Sequence, residues 1–191
     1  MSPNIDEQNV LLGFLTLQET LNKDGYIGSI MITDIRGVPQ EFRCTHPVKP
    51  TVIQKPLYGD TLEPYIGVNL CGIPLIRSVD IKPSLIVVNK EFLLDVRTTN
   101  SPPIVLVRRA GEVIEINTSD TTESKLKRER LDSLTGRFQP IVFTSHPDFA
   151  NDMEIARHIF EETFSYFDPI EPFDRISKAM GILAKQDSKF Q

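Results

Sequence analysis

Six ionisable side chains, Asp34, Arg36, Glu41, Arg43, His46 and Lys49, fall within sixteen consecutive residues of this 191-residue chain. Two carboxylates among bases could hold a divalent cation and steady a phosphoryl transition state, as metal-dependent phosphodiesterases and nucleases require. The catalytic candidates are accordingly Asp34, Arg36, Glu41, Arg43 and His46, with Asp34 and Glu41 as the pair to face a common ion. A plainer reading weighs more. Asp34, Ile35, Arg36 and Gly37 put an acid first and a glycine fourth, which a type I turn closing a hairpin through a glycine bulge demands. Glu41 and Arg43 alternate with Phe42 and Cys44, so they also read as the wet face of the returning strand.

Other reactive residues are scattered. Cys44, Cys71, His46, His146 and His158 never come in the short-spaced pairs of a structural zinc site, so no metal is expected. Both cysteines read as small buried hydrophobes rather than nucleophiles. Ser145 beside His146 lacks the flanking glycines of a nucleophile elbow, and no phosphate-cradling glycine loop can be assembled. No cofactor is expected.

Two further clusters are candidates for binding. Lys125, Lys127, Arg128 and Arg130, aided by Arg108 and Arg109, could touch a phosphate backbone, although Glu123, Glu129 and Asp132 dilute them and no aromatic accompanies them. From Asp148 to Asp174 stand eight acidic residues against one arginine, with five phenylalanines and Tyr166. Aromatics beyond the needs of one docking helix, rimmed by acid, resemble a surface for another protein chain or a second copy. Phe160, Phe164, Tyr166, Phe167 and Phe173 are its expected contact residues.

These groups must be carried by elements whose pattern is legible. Strands are expected over 10–19, 26–33, 40–45, 85–88, 104–107 and 139–144, and a further strand over 112–117 after the turn at Ala110 and Gly111. A central helix is expected from Asp60, with Glu63 reaching back to its start, to about Gly72, where Pro74 blocks continuation. One or two helical turns fit 91–96. The polar stretch 118–136 reads as a connection. Met153, Ala156, Phe160, Phe164 and Phe167 recur at helical spacing after Asp148 and Asn151, and Phe173, Ile176, Met180 and Leu183 repeat the pattern after Asp168 and Pro169.

The expected class is α+β: a mostly antiparallel sheet built from hairpins, a central helix, and two C-terminal amphipathic helices. A sheet-rich domain over 1–145, including the polar loop 118–136, would carry a helical pair over 146–191. The net charge of −5 argues against an overall field that attracts nucleic acid. No apolar run is long enough to span a membrane, and the acidic start differs from a signal peptide, so a soluble cytoplasmic protein is expected. The leading functional expectation is a non-catalytic binding or scaffolding subunit of a protein complex, docking through its C-terminal helices. The alternative is a metal-dependent phosphodiesterase or nuclease component using the Asp34 and Glu41 hairpin.

Overall fold

The computed structural model describes residues 10–99, 101–112 and 127–190. In chain order it contains β1 (Leu11–Glu19), β2 (Tyr26–Asp34), β3 (Pro39–Cys44), α1 (Gln54–Tyr58), α2 (Leu62–Tyr65), α3 (Ile73–Ser78) and β4 (Leu85–Val88). A 3-10 segment (Glu91–Thr99), β5 (Ile104–Arg109), β6 (Arg128–Leu131), β7 (Ile141–Ser145), α4 (Asp152–Thr163) and α5 (Glu171–Gln186) follow. The strands form one sheet in the order β3-β2-β1-β4-β5-β7-β6.

The α+β class holds, but the sheet is mixed. β1 pairs with β4, and β4 with β5, in parallel, while β1–β2, β2–β3, β5–β7 and β6–β7 are antiparallel. The antiparallel expectation came from hairpins, which local turn residues announce. A parallel pair needs a long crossover, supplied here by the helical segment between β3 and β4. Both faces of the central strands are covered, so β1, β2 and β4 are apolar almost throughout rather than alternating.

One core lies between the sheet and the C-terminal helices: Phe14, Val87, Val105 and Phe143 meet Ile159, Phe160, Phe173 and Ile176. A second lies on the opposite face, where Leu15, Ile32, Ile86 and Leu106 meet Leu75, Leu93 and Val96. The crossover approaches β2 closely. A Cβ on Gly28 would stand 2.5 Å from that of Cys71, so only glycine admits this contact.

The central helix departs from its expected limits. Chain 54–78 is helical in pieces, with a π-helical turn (Ile66–Gly72) leading into α3, which contains Pro74. The wider turn supplies the physical reason: where the ladder is already displaced from α spacing, a residue without an N–H removes no α bond. The polar stretch 118–136 also holds β6. Most of the strand expected over 112–117, with Val113, Ile114 and Ile116, lies outside the described residues.

Buried Asp152 ties the layers together. Its carboxylate accepts from Arg97 Nε at 2.7 Å and from the Ile104 amide at 3.1 Å, joining α4 to the 3-10 segment and to the start of β5.

Candidate nucleic-acid interface

The outer part of the sheet separates its residues by strand alternation. On β7, Ile141 and Phe143 are buried against the C-terminal helices, so Val142 and Thr144 point the other way. On β6, Glu129 and Leu131 stand opposite Phe143 and Ile141, whereas Arg128 and Arg130 stand opposite Thr144 and Val142. Arg108 on β5 is also opposite Val142. Arg108, Val142 and Arg130 therefore form one row across three strands, with Leu106, Thr144 and Arg128 in the next row. α4 packs on the inner face of these strands. A shallow depression on the outer face is lined by Glu91, Leu106, Arg108, Arg128, Val142 and Thr144 among others.

Arg109 takes the opposite orientation and pairs with Asp168 just before α5, so it does not belong to this face. Lys127, just before β6, is exposed. Lys125 lies outside the described residues.

The basic face continues along the rim where the parallel strands end. Glu91 Oε2 lies 3.4 Å from Arg108 Nη2. Its chain neighbour Lys90, directly after β4, pairs with Glu63 on α2 and sits 5.8 Å from the Phe92 ring centre. Tyr58 at the end of α1 and Tyr65 at the end of α2 form an aromatic pair with centroids 5.2 Å apart, 36% and 41% exposed. The band thus runs from two exposed rings through Lys90 and Arg108 to Arg128 and Arg130. Every acid named on it is engaged by a base: Glu63 by Lys90, Glu91 by Arg108, and Asp132 by Arg130 at 2.8 Å.

Open α/β sheets bind ligands beyond the carboxyl ends of their strands, where the strand order reverses. Here that point lies between β1 and β4. It is occupied by a neutral hydrogen bond, 2.9 Å from Thr16 Oγ1 to Asn89 Oδ1. Among the described residues, no three His, Cys, Asp or Glu side chains gather in a way that could hold a metal.

The hairpin candidates have other occupations. Asp34 Oδ1 accepts from the amides of Arg36 and Val38, both at 2.9 Å, and Gly37 adopts φ +81°, which is the expected turn. Glu41 accepts from the Ile81 amide at 2.9 Å, from the Asp80 amide, and from Arg43, binding β3 to the chain after α3. The Ile81 amide is the main reason its carboxyl titrates below the ordinary value. Arg43 also reaches Asp80 at 2.7 Å, Arg36 lies over the Tyr166 ring, and His46 stacks on Phe190. Asp34 and Glu41 each serve separate backbone amides, so they do not form a shared cation site.

The cysteines are free thiols, and burial raises the pKa of both, which disfavours the nucleophilic form. His146 begins a 3-10 turn by accepting from the Asp148 amide, and His158 is exposed on α4. The expected docking tail is corrected most directly. Phe160, Phe164 and Phe173 are buried, Phe167 packs against the same core, and only Tyr166, 45% exposed, remains outside. A seven-stranded sheet offers more apolar area than a lone helix would need, and the rings fill it.

The residues that sequence reading underused are Lys90, Glu91, Tyr58, Tyr65 and, above all, Arg108. A signal was available: Arg128 and Arg130 are spaced by two and alternate with Glu129 and Leu131, which is strand spacing written in charges.

No protein-family model matches the chain, and no curated protein matches it by sequence. Solved structures do resemble it. Endonuclease V from Bacillus subtilis superposes with a TM-score of 0.57 at 9% identity, covering 97% of this chain and 87% of that one. Endonuclease V from Ciona intestinalis, solved with a DNA containing inosine followed by a ribo-adenosine, gives 0.47 at 11% identity over 80% and 76%. The first comparison shows a shared fold, one that a nuclease uses. With that fold, and with the phenylalanines inside the core, the expectation of a non-catalytic scaffolding subunit of a protein complex is overturned.

Proposed function

We propose that this protein binds nucleic acid, holding the strand backbone along the band from α1 and α2 to β6. The observation that carries this reading is the placement of Arg108, Arg128 and Arg130 on one outer face of adjacent strands. A guanidinium offers a planar fork of donors that fits phosphate oxygens, and a row of them fits a repeating phosphate better than any single anion. The exposed Tyr58 and Tyr65 add surfaces on which bases can stack. The net charge of −5 is no obstacle, because Lys90, Arg108, Arg128 and Arg130 stand together along one band and salt screens distant charges within about 8 Å. The fold shared with an endonuclease agrees with this choice of ligand.

The test is fluorescence anisotropy with labelled DNA and RNA strands, single and double, at several salt concentrations. Arg108→Ser with Arg130→Ser should weaken binding roughly tenfold to a hundredfold at moderate salt and flatten the salt slope by about two. Unchanged affinity in that variant sinks the proposal. Shortening of the strand on a denaturing gel with magnesium present would add a cutting step to this binding.

A further inference from the structure

Three cations of the band are already paired within the chain. Lys90, Arg108 and Arg130 each hold an intramolecular carboxylate, from Glu63, Glu91 and Asp132 respectively. These are not buried structural pairs like Arg97 with Asp152, whose carboxylate is 3% exposed. Side chains of Arg108 and Glu91 are 25% and 42% exposed, and those of Arg130 and Asp132 are 58% and 64% exposed.

We infer that Glu63, Glu91 and Asp132 occupy the phosphate positions of the free protein, so the band is masked by its own acids until a polyanion displaces them. This deepens the proposed function and rests on it. The chemistry follows from the geometry. A carboxylate presents two oxygens to a guanidinium much as a phosphate does, and Asp132 meets Arg130 in that way, with Nη2 at 2.8 Å and Nε 3.3 Å from both oxygens. Partly exposed pairs are weak and salt-screened, so each can be exchanged. A lone monoanion gains nothing by exchanging one carboxylate for another. A strand exchanges several at once and binds by their sum. Glu91 should yield first, because its contact with Arg108 is the longest at 3.4 Å.

Masking makes a prediction that a simple basic patch does not. Glu91→Gln with Asp132→Asn should bind a fluorescein-labelled oligothymidylate about tenfold tighter than the natural chain, because no carboxylate has to be displaced first. Glu161→Gln, which removes one charge from the exposed outer face of α4, is the control and should stay within about twofold. If the control tightens binding as much per charge, only net charge matters and masking fails. Failure of the double variant to tighten binding, while the natural chain binds, also refutes masking and leaves the proposed function standing. Should neither protein bind, both fall. Binding by the double variant alone supports masking.

Discussion

The two faces of the outer sheet carry opposite chemistry on the same strands. On β6, Glu129 and Leu131 face α4 while Arg128 and Arg130 face away; on β7, Ile141 and Phe143 go inward while Val142 and Thr144 go outward. The inner face is closed by α4 and α5, whose phenylalanines pack into the sheet. The outer face of the same strands presents guanidinium groups. A residue's meaning therefore depends on which side of a two-residue period it occupies. Aromatic rings in a helix and arginines in a polar stretch look equally available in one dimension. The sheet gives the first to the core and the second to solvent.

The largest expected effect comes from emptying the inner face. Phe160 is fully buried, in edge-to-face contact with Phe143 at a centroid distance of 5.4 Å. Phe160→Ala should lower unfolding free energy by about 3 to 5 kcal/mol in urea titration, from lost burial plus the cavity left behind. The folded fraction should still bind nucleic acid within about twofold of the natural chain, because the arginines are on the other side of the strands. Loss of binding beyond the loss of folded protein would break the separation of the two faces.

Much of the architecture was legible, and the misses share one cause. The β2–β3 hairpin could be read because Asp34 and Gly37 act locally, and the C-terminal helices because their apolar spacing is internal to each. The parallel placement of β4 beside β1 was not legible, since no local residue encodes a partner some seventy positions away. β6 was missed because its period of two is written in charges rather than apolar residues. The limit set at Pro74 failed because a proline's effect depends on whether the helix around it keeps α spacing. At the candidate site, Arg128 and Arg130 were visible as a basic run, but their shared face with Arg108 follows only from pairing β6 and β5 to the same strand. The phenylalanines misled through number alone: the area of the sheet that receives them cannot be counted from the helices.

A smaller effect separates structural acids from displaceable ones. Glu41 accepts backbone amides from Ile81 and Asp80, unlike Glu91, whose partner is the side chain of Arg108. Its folded pKa lies below the ordinary value of 4.5, so its stabilisation is complete above that value and is lost as pH falls through the folded one. Glu41→Gln should cost about 1 kcal/mol at neutral pH. Its stability should then fall less steeply than that of the natural chain on acidification below the ordinary value. Magnesium should leave the melting temperature of both proteins unchanged. A rise for the natural chain alone would return Glu41 to the role of a cation ligand.

The smallest expected effect concerns the one aromatic of the helix pair left outside. Tyr166 lies beneath Arg36 with 5.7 Å from guanidinium carbon to ring centre, an exposed cation–π contact linking the β2–β3 turn to the helices. Tyr166→Ala should therefore change stability by no more than about 0.5 to 1 kcal/mol. Its neighbours Phe164 and Phe167 are already engaged by the core, so the removal exposes no continuous apolar surface. Sedimentation velocity should show the same species for variant and natural chain, and oligonucleotide affinity should not move. A change in association state on losing this single ring would mean that the helical side presents a contact surface after all, and the contrast between a closed face and an open one would have to be redrawn around Tyr166.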